Sequence, residues 1–492
     1  MGSSADVATH PPGCHHRVVL LRRLGFLVVA VALLASACGV SGQDSGTDAS
    51  PPTATAAPTE PSDEPLGGRA VLEGLRGSVA LIDTPIASGS AVLLDDGYLV
   101  TNAHVIDPFD VVDVTFEGDD TELDVEVVGV DLDADLAVLG PIETDHEPVA
   151  LVDPTDLDQG SDLFLVGFPG DQADPEVTIS TGVLSRRRQA EDWGLDFLQS
   201  DTKIAPGQSG GALVDDQGRV IGISGLSDED DYALTLSGED VVASVEEILD
   251  GDGSEWLPAP QDATETAATF EVIGRSDPRV LYFPAAEDER MVTVDVDGPD
   301  PLVELDDVGQ FPLALNQAAF DALDENDDPD LELPEPTEPD ADGRYTFPIE
   351  AGFPALLYVG AGVEVATPLS VTTSEPFAVV AGDPEVTPIK VDGDPVEGTL
   401  GYLDPTRVFS VDLDADDEFA ITASSAVGDV AYSVVAPGEA LDAAEEVDDG
   451  GGGLFDLDAS GTYTAETAGT HQLRVYQVEG VATGYRLTVE PA

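Results

Sequence analysis

Between residues 69 and 252 the apolar positions fall in short runs, some alternating and some continuous, broken by Gly, Asp and Asn. Examples are SGSAVLLDDGYLVTNAHVI, DVEVVGVDLDADLAVLG, DLFLVGFPG, VTISTGVLS and GRVIGISG. Runs of this length between turn residues predict short strands closing into barrels or sandwiches. The block ends on SGEDVVASVEEILDG, where the period changes to that of a helix. Ser237 is placed to cap it and Glu239 and Asp240 stand in the first turn. Val241, Val242, Val245, Ile248 and Leu249 fall on one face, and Gly251 stops the helix.

Beyond residue 266 a second pattern occurs twice. DPRVLYFPAAEDERMVTVDV (277–296) is echoed by DPTRVFSVDLDADDEFAITA (404–423), and GRYTFPIEAGFPALLYV (343–359) by GTYTAETAGTHQLRVYQ (461–477). Internal similarity with alternating strands predicts two copies of a small β-sandwich, at 266–373 and 374–492. The acidic stretches NDDPDLELPEPTEPDADG and EEVDDGGGG read as solvated loops within them.

The first residues belong to targeting, not to a fold. Arg17, Arg22 and Arg23 precede the apolar LGFLVVAVALLASA, which ends in LLASAC at Cys38. The pattern resembles a bacterial lipoprotein signal over 1–37, which implies lipidation of Cys38 and an extracytoplasmic chain held at the membrane; the other reading is a plain secretory signal cut near the same place, which would leave the chain secreted. Residues 38–68, rich in Ser, Thr, Pro and Ala, read as a tether. The chain has two cysteines; Cys14 leaves with the leader, so the processed chain has no pair to form a disulfide.

Composition narrows the partners. The 99 acidic residues outweigh 18 basic ones, for a net charge of −81, and the only lysines are Lys203 and Lys390. Such a surface repels nucleic acid, which is excluded as a partner. It also repels its own copies in dilute salt and less in concentrated salt, so the composition reads as salt adaptation. A hydrophobic content of 42% still supplies proper cores.

The candidate chemistry centres on Ser209 in APGQSGGALVDDQGRVIGISG. A serine hydroxyl becomes a nucleophile only when a base takes its proton and a third group holds that base. Beyond the leader the histidines are His104, His146 and His471. His146 and His471 read as surface residues, whereas His104 ends the apolar run LVTN.

SGSAVLLDDGYLVTNAHVI, VVGVDLDADLAVL, TISTGVLS and DTKIAPGQSGGALVDDQGRVIGISG together resemble successive signature segments of trypsin-like serine proteases, in particular the HtrA-like branch without disulfides. The resemblance covers about residues 69–250, with TNAHV and GQSGG where TNNHV and GNSGG are common. It implies an all-β double-barrel protease domain over 69–252 with a C-terminal helix, followed here by the two β-sandwich domains. It implies a serine endopeptidase of protein or peptide substrates that needs no cofactor or metal. His104 is then the general base, Asp135 orients it and Ser209 forms the acyl-enzyme. Asp131, Asp133 and Asp135 alternate and would share one face of a strand; only Asp135 precedes the Leu-Ala-Val-Leu of the motif, so the other two read as solvated acids.

The N–H groups of Gly207 and Ser209 would form the oxyanion hole, in a turn entered through Pro206. The resemblance also implies that Lys203, six residues before Ser209, helps floor the specificity pocket and favours acidic side chains, with Ile223, Ser224 and Gly225 lining its wall; the other reading of Lys203 is a salt bridge to a neighbouring acid. SRRRQ at 185–189 reads as a surface loop. DENDDPDLELPE at 324–335 has oxygens at calcium-loop offsets, but Pro329 stands where a glycine turn is needed, and DLDADDE at 412–418 lacks the same glycine. The two C-terminal copies weakly resemble bacterial pre-peptidase C-terminal domains, and no PDZ-like pattern follows the closing helix. The competing reading is a surface-anchored binding or adhesion lipoprotein with a catalytically silent protease-like domain.

Overall fold

The computed structural model describes residues 65–492 apart from 120–122, 171–175, 228–231, 261–262, 274–278, 287, 307–338, 362–365, 381–385, 439–444, 448–457 and 479–481. The leader with Cys38, the tether as far as residue 64 and the acidic loop at 324–335 lie outside the described residues. Among the described residues no helix is long and apolar enough to cross a membrane.

A short helix, α1 (Gly68–Leu75), precedes the first barrel: β1 (Val79–Asp83), β2 (Ser88–Leu93), β3 (Leu99–Thr101), α2 (Ala103–Ile106), β4 (Val111–Phe116), β5 (Leu123–Asp131) and β6 (Leu136–Leu139). Its strands close in the order β1-β2-β3-β6-β5-β4. The second barrel consists of β7 (Asp162–Gly167), β8 (Thr178–Ala190), β9 (Leu195–Ser200), β10 (Ala212–Asp215), β11 (Val220–Ser227) and β12 (Ala233–Ser237). These close as β10-β11-β12-β9-β8-β7, and α3 (Gly238–Asp250) follows.

The continuous apolar runs have a simple cause. Successive residues of a strand face opposite ways, and here both faces meet a core. Val79 and Leu81 of β1 enter a cluster shared with Phe164 and Val166 of β7, while Ala80 and Ile82 enter a cluster built mainly from the first barrel. In β7, Leu163 and Leu165 face a third cluster with Leu198 and Leu213. The shared cluster therefore joins the barrels, and α3 lies on it through Val241, Val245 and Ile248.

Ser237 Oγ accepts the Asp240 N–H and Gly251 ends α3 in the left-handed conformation, as the sequence predicts. Val242 and Leu249 depart from the expected face: they are 39% and 40% exposed. The buried stripe is narrower because α3 rests on one side only, with Ser244 completing it. The SRRRQ run also differs from expectation. It lies within β8, paired with β9, and Arg186 Nε donates to Gln199 Oε1 at 2.6 Å.

Both C-terminal units are two-sheet structures. The first comprises β13 (Glu265–Ile273), β14 (Arg279–Phe283), β15 (Arg290–Asp297), β16 (Pro301–Asp306), β17 (Arg344–Ile349), β18 (Ala355–Ala361) and the long β19 (Ala366–Val380). One sheet runs β13-β19-β15-β17 and the other β16-β18-β14-β19, because β19 crosses from the first to the second. The second unit comprises β20 (Thr387–Ile389), β21 (Val396–Leu400), β22 (Thr406–Leu413), β23 (Glu418–Ser424), β24 (Val430–Val435), β25 (Glu445–Val447), β26 (Ala459–Thr464), β27 (Gly469–Gln477) and β28 (Thr483–Pro491). Its sheets run β21-β28-β23-β26 and β20-β22-β27-β24-β25.

The order β13-β19-β15-β17 thus corresponds strand for strand to β21-β28-β23-β26, and β16-β18-β14 to β24-β27-β22. The position beside β14 is filled by the end of β19, whereas beside β22 it is filled by the parallel β20. Three expectations are corrected here. The boundary at 373/374 falls inside β19, so the first unit runs on to Val380. The EEV of EEVDDGGGG forms β25 on the edge of β24 rather than a loop. His471 is wholly buried rather than at the surface; it sits in β27 with its ring 5.7 Å from that of Tyr463, because its place in the strand pattern faces the sandwich interior.

The narrowed face of α3 sets a direct comparison. Ile248→Ala, at a buried position, is expected to cost about 2–5 kcal/mol, and Leu249→Ala to stay within about 0.5 kcal/mol. Urea denaturation followed by the far-ultraviolet signal checks the pair.

Candidate active site

Asp135 closes the turn between β5 and β6 in the left-handed conformation, φ 52°, and its side chain is almost fully buried. Asp131 builds that turn: its Oδ1 accepts the N–H groups of Asp133 and Ala134 at 3.1 and 3.2 Å. The three aspartates therefore do not alternate on a strand, since Asp131 is the last strand residue. Asp133 is not a freely solvated acid either. Burial, then the charges of Asp131 and Glu397, push its pKa up to about 6 against the opposing effect of Arg486.

From this turn Asp135 takes hold of residues 102–104. Its Oδ2 lies 2.7 Å from His104 Nδ1 and its Oδ1 accepts the His104 N–H at 3.0 Å. Its backbone carbonyl accepts Asn102 Nδ2 at 2.9 Å and the Ala103 N–H at 3.2 Å. With Nδ1 facing a carboxylate, the ring's proton belongs on Nδ1 and Nε2 is the basic nitrogen. Burial lowers the pKa of His104, but the charge of Asp135 and its hydrogen bond outweigh it, so the net shift is upward.

Ser209 sits in the loop between β9 and β10, where every carbonyl from Ala205 to Ser209 is engaged. Ala205 accepts from Gln208 N, Pro206 from Gly170 N, Gly207 from Ser90 Oγ, Gln208 from Gly211 N and Ser224 Oγ, and Ser209 from Ser90 N. Among the described residues no acceptor takes the N–H of Gly207 or of Ser209. Gly207 has φ 91°, and a Cβ there would stand 2.3 Å from Gly170 N; only glycine fits this turn. The loop thus commits its acceptors and leaves two donors beside the serine.

Strand β2 connects the two halves. Gly89 lies flat beneath Val105, the neighbour of His104, where a Cβ would come within 2.4 Å of Val105 Cγ1. Ser90, the next residue, donates its N–H to Ser209 O at 2.7 Å and its Oγ to Gly207 O at 2.8 Å. The same Oγ accepts the Phe168 N–H, and Thr101 Oγ1 donates to Ser90 O at 2.7 Å. His104 and Asp135 are therefore in direct contact, and Ser209 is held on the strand beneath them. Among the described residues no hydrogen bond joins Ser209 to the His104 ring; such contacts commonly tighten only with substrate bound.

The expected specificity pocket is less well matched. Ile223 is 1% exposed and belongs to the core shared by the barrels; beyond a bulge in β11 it pairs with Ala212 of β10 and shares that residue's inward face. Ser224 is wholly buried and holds the nucleophile loop through Gln208 O at 3.3 Å. Lys203 is exposed instead of turned inward, and Thr202 takes the buried place beside it. Gly225 has the Asn102 amide against it.

Ser90, Asn102 and Gln208 were missed from the sequence. Gln208 is buried, accepts the Ala205 N–H at 2.9 Å and donates to Thr178 Oγ1 at 3.0 Å. The signal for Gln208 and Asn102 was their position immediately inside the GQSGG and TNAHV motifs. Ser90 carried none beyond its two flanking small residues. Among the described residues no group of His, Cys, Asp or Glu is arranged to hold a metal ion.

Residues 89–223 match the family model described as a trypsin-like peptidase domain. A probable periplasmic serine endoprotease, DegP-like, of Halomonas elongata is 34% identical over 177 residues, covering 33% of this chain and 35% of the relative. The serine protease Do-like HtrA of Bacillus subtilis is 33% identical over 183 residues, covering 34% and 40% respectively. A solved structure of the HtrA-type protease AlgW with a tripeptide is 27% identical, covers 38% of this chain and 64% of that one, and superposes with a TM-score of 0.35. The match to curated relatives such as these two spans only about a third of each relative's length.

The opposing influences on His104 fix a titration experiment. In the native protein its ring should titrate above the ordinary value of 6.5. In Asp135→Asn the raising charge is gone and burial remains, so the midpoint should fall below 6.5. Ring-proton chemical shifts followed against pH measure both.

Proposed function

Residues 89–223 being a trypsin-like peptidase domain of the HtrA-like kind, we propose that this protein is an extracytoplasmic serine endopeptidase acting on protein or peptide substrates through an acyl-enzyme on Ser209. The observation that carries the proposal is the pairing of a base gripped at Nδ1 by a buried carboxylate with a serine whose loop has only N–H groups left to give.

The chemistry follows from these placements. Ser209 Oγ attacks the carbonyl carbon of the scissile amide while His104 Nε2 takes the hydroxyl proton. The carbonyl electrons move onto oxygen, and the N–H groups of Gly207 and Ser209 receive the resulting anion. Asp135 stabilises the imidazolium and keeps its ring in register, without itself taking the proton. Collapse breaks the C–N bond as His104 returns the proton to the leaving amine. A water molecule then repeats the sequence on the acyl ester, and Ser209 is regenerated.

The leader ending at Cys38 supports a site outside the cytoplasm with a lipid anchor, as does the periplasmic description of the Halomonas relative. The excess of carboxylates supports activity in salt, where screening relieves their mutual repulsion.

A fluorophosphonate probe tests the reading, with the full chain at about 0.1 M and about 1 M salt, where the Debye length falls from about 10 Å to about 3 Å. The native protein should label and Ser209→Ala should not. Gly207→Val, which fills the space against Gly170, should lower peptide turnover by roughly 100-fold or more. A folded native protein that takes no probe at either salt sinks the peptidase reading in favour of a silent domain on a binding lipoprotein.

A further inference from the structure

The loops that carry His104 and Asp135 are not finished within the barrels; the second sandwich and the linker complete them. Asp107 is the first residue after α2. Its N–H bonds Ala103 O at 2.9 Å, and its buried carboxylate reaches out of the barrel. Oδ1 accepts Trp256 Nε1 at 2.7 Å and Oδ2 accepts the Tyr402 N–H at 2.9 Å. Pro108 O then accepts the Ala259 N–H at 2.6 Å, and Phe109 packs with Tyr402 and Leu403 of the second sandwich and Tyr282 and Tyr358 of the first. Three parts of the chain therefore meet directly behind the helix of His104.

The turn of Asp135 is held in the same way. Leu132 O accepts the Gly484 N–H at 3.1 Å, while Leu132 N donates to Ser254 Oγ of the linker at 2.9 Å. Gly484 lies so close that a Cβ would stand 1.7 Å from Asp133 Oδ1. Ala482, two residues earlier, is wholly buried in the core of the first barrel. The same strand, β28, reaches the second barrel. Arg486 donates to Asp192 O at 2.9 Å and its guanidinium lies 5.0 Å above the Trp193 ring.

This seam is a costly place for acids. Burial pushes Asp107 up to about 6 despite its two hydrogen bonds, and Asp133 stands at a similar value. Carboxylates kept where burial opposes their charge serve orientation better than stability.

We propose that the second sandwich is a positioning element of the peptidase: by holding Asp107 through Tyr402 and the β5–β6 turn through Gly484, it keeps His104 seated against Asp135. The proposal rests on the peptidase reading for its kinetic consequence, but the seating of His104 is observable without substrate. Turnover is then coupled to docking of a domain that contributes no reacting group. An error of about 1 Å in a catalytic group can cost 10²-fold, so a loosened seam should lower kcat and leave KM nearly unchanged.

The test is Gly484→Ala in the full chain, since the added methyl meets Asp133 and touches neither His104, Asp135 nor Ser209. The chain's two tryptophans are Trp193 and Trp256, both on this seam, so a red shift of their emission reports undocking. The expected result is that shift, a fall in kcat of about ten- to a hundred-fold at constant KM, and loss of the far-downfield proton resonance of the His104–Asp135 hydrogen bond. Adding Asp133→Gly, which removes the group the methyl strikes, should restore all three.

Trp256→Phe provides a second variant that keeps the ring but removes the donor to Asp107; several-fold slower turnover with Trp193 emission unchanged is expected. An emission shift in Gly484→Ala with kcat and the downfield resonance intact overturns the proposal, as does full activity in both variants. If the native protein never turns over a peptide but Gly484→Ala still abolishes the resonance, the seating role stands and the peptidase reading falls.

Discussion

The grip of Asp135 on residues 102–104 is the constraint from which the rest of the site is arranged. One residue in the left-handed conformation accepts four hydrogen bonds, two on its carboxylate and two on its carbonyl. The carboxylate can do this only if the turn lifts it out of β5, which Asp131 accomplishes by taking two N–H groups. The histidine's backbone and ring are thereby fixed to the same side chain. Opposite this, Ser90 fixes the nucleophile loop by two contacts, through its N–H to Ser209 O and its hydroxyl to Gly207 O. Two polar residues, Asp135 in a turn and Ser90 on β2, thus hold the base and the nucleophile loop.

Much of this was legible in the chain. The apolar runs gave strands, the GQSGG and TNAHV segments gave the serine and histidine, and Ser237 with Gly251 bounded α3. The errors have definable physical causes. Alternation alone put Asp131, Asp133 and Asp135 on one strand face, because nothing in DLDADL announces an Asx turn built by its first residue. Ile223 was assigned to a pocket wall, yet a bulge in β11 and pairing with Ala212 send it into the core. His471 was read as exposed because a polar residue in an acidic chain suggests a surface, whereas position on β27 decides its burial. Contacts between distant parts, such as Asp107 with Tyr402 or Gly484 with Leu132, leave no local pattern, and no period could have found them.

The two barrels share one apolar core, and the second sandwich joins them both through specific bonds and through apolar side chains, Ala426 and Val427 in the shared core and Ala482 in that of the first barrel. Those bonds fall on loops and turns, where shape is least fixed by the strands themselves. Rigidity in this molecule is therefore supplied from outside the barrels at the places where catalysis would need it most.

The different fillings beside β14 and β22 bear on how the molecule behaves in a crowd. In the first sandwich that sheet edge is covered by the end of β19, in the second by β20 drawn from the chain between the copies. An open strand edge is a template for pairing with another molecule. A chain carrying −81 charges keeps its copies apart in dilute salt, but that protection fades as ions screen it. The added strand becomes the outer edge in its turn, but β20 is only three residues long with Pro388 at its centre, so it offers a newcomer few groups to pair with at any ionic strength.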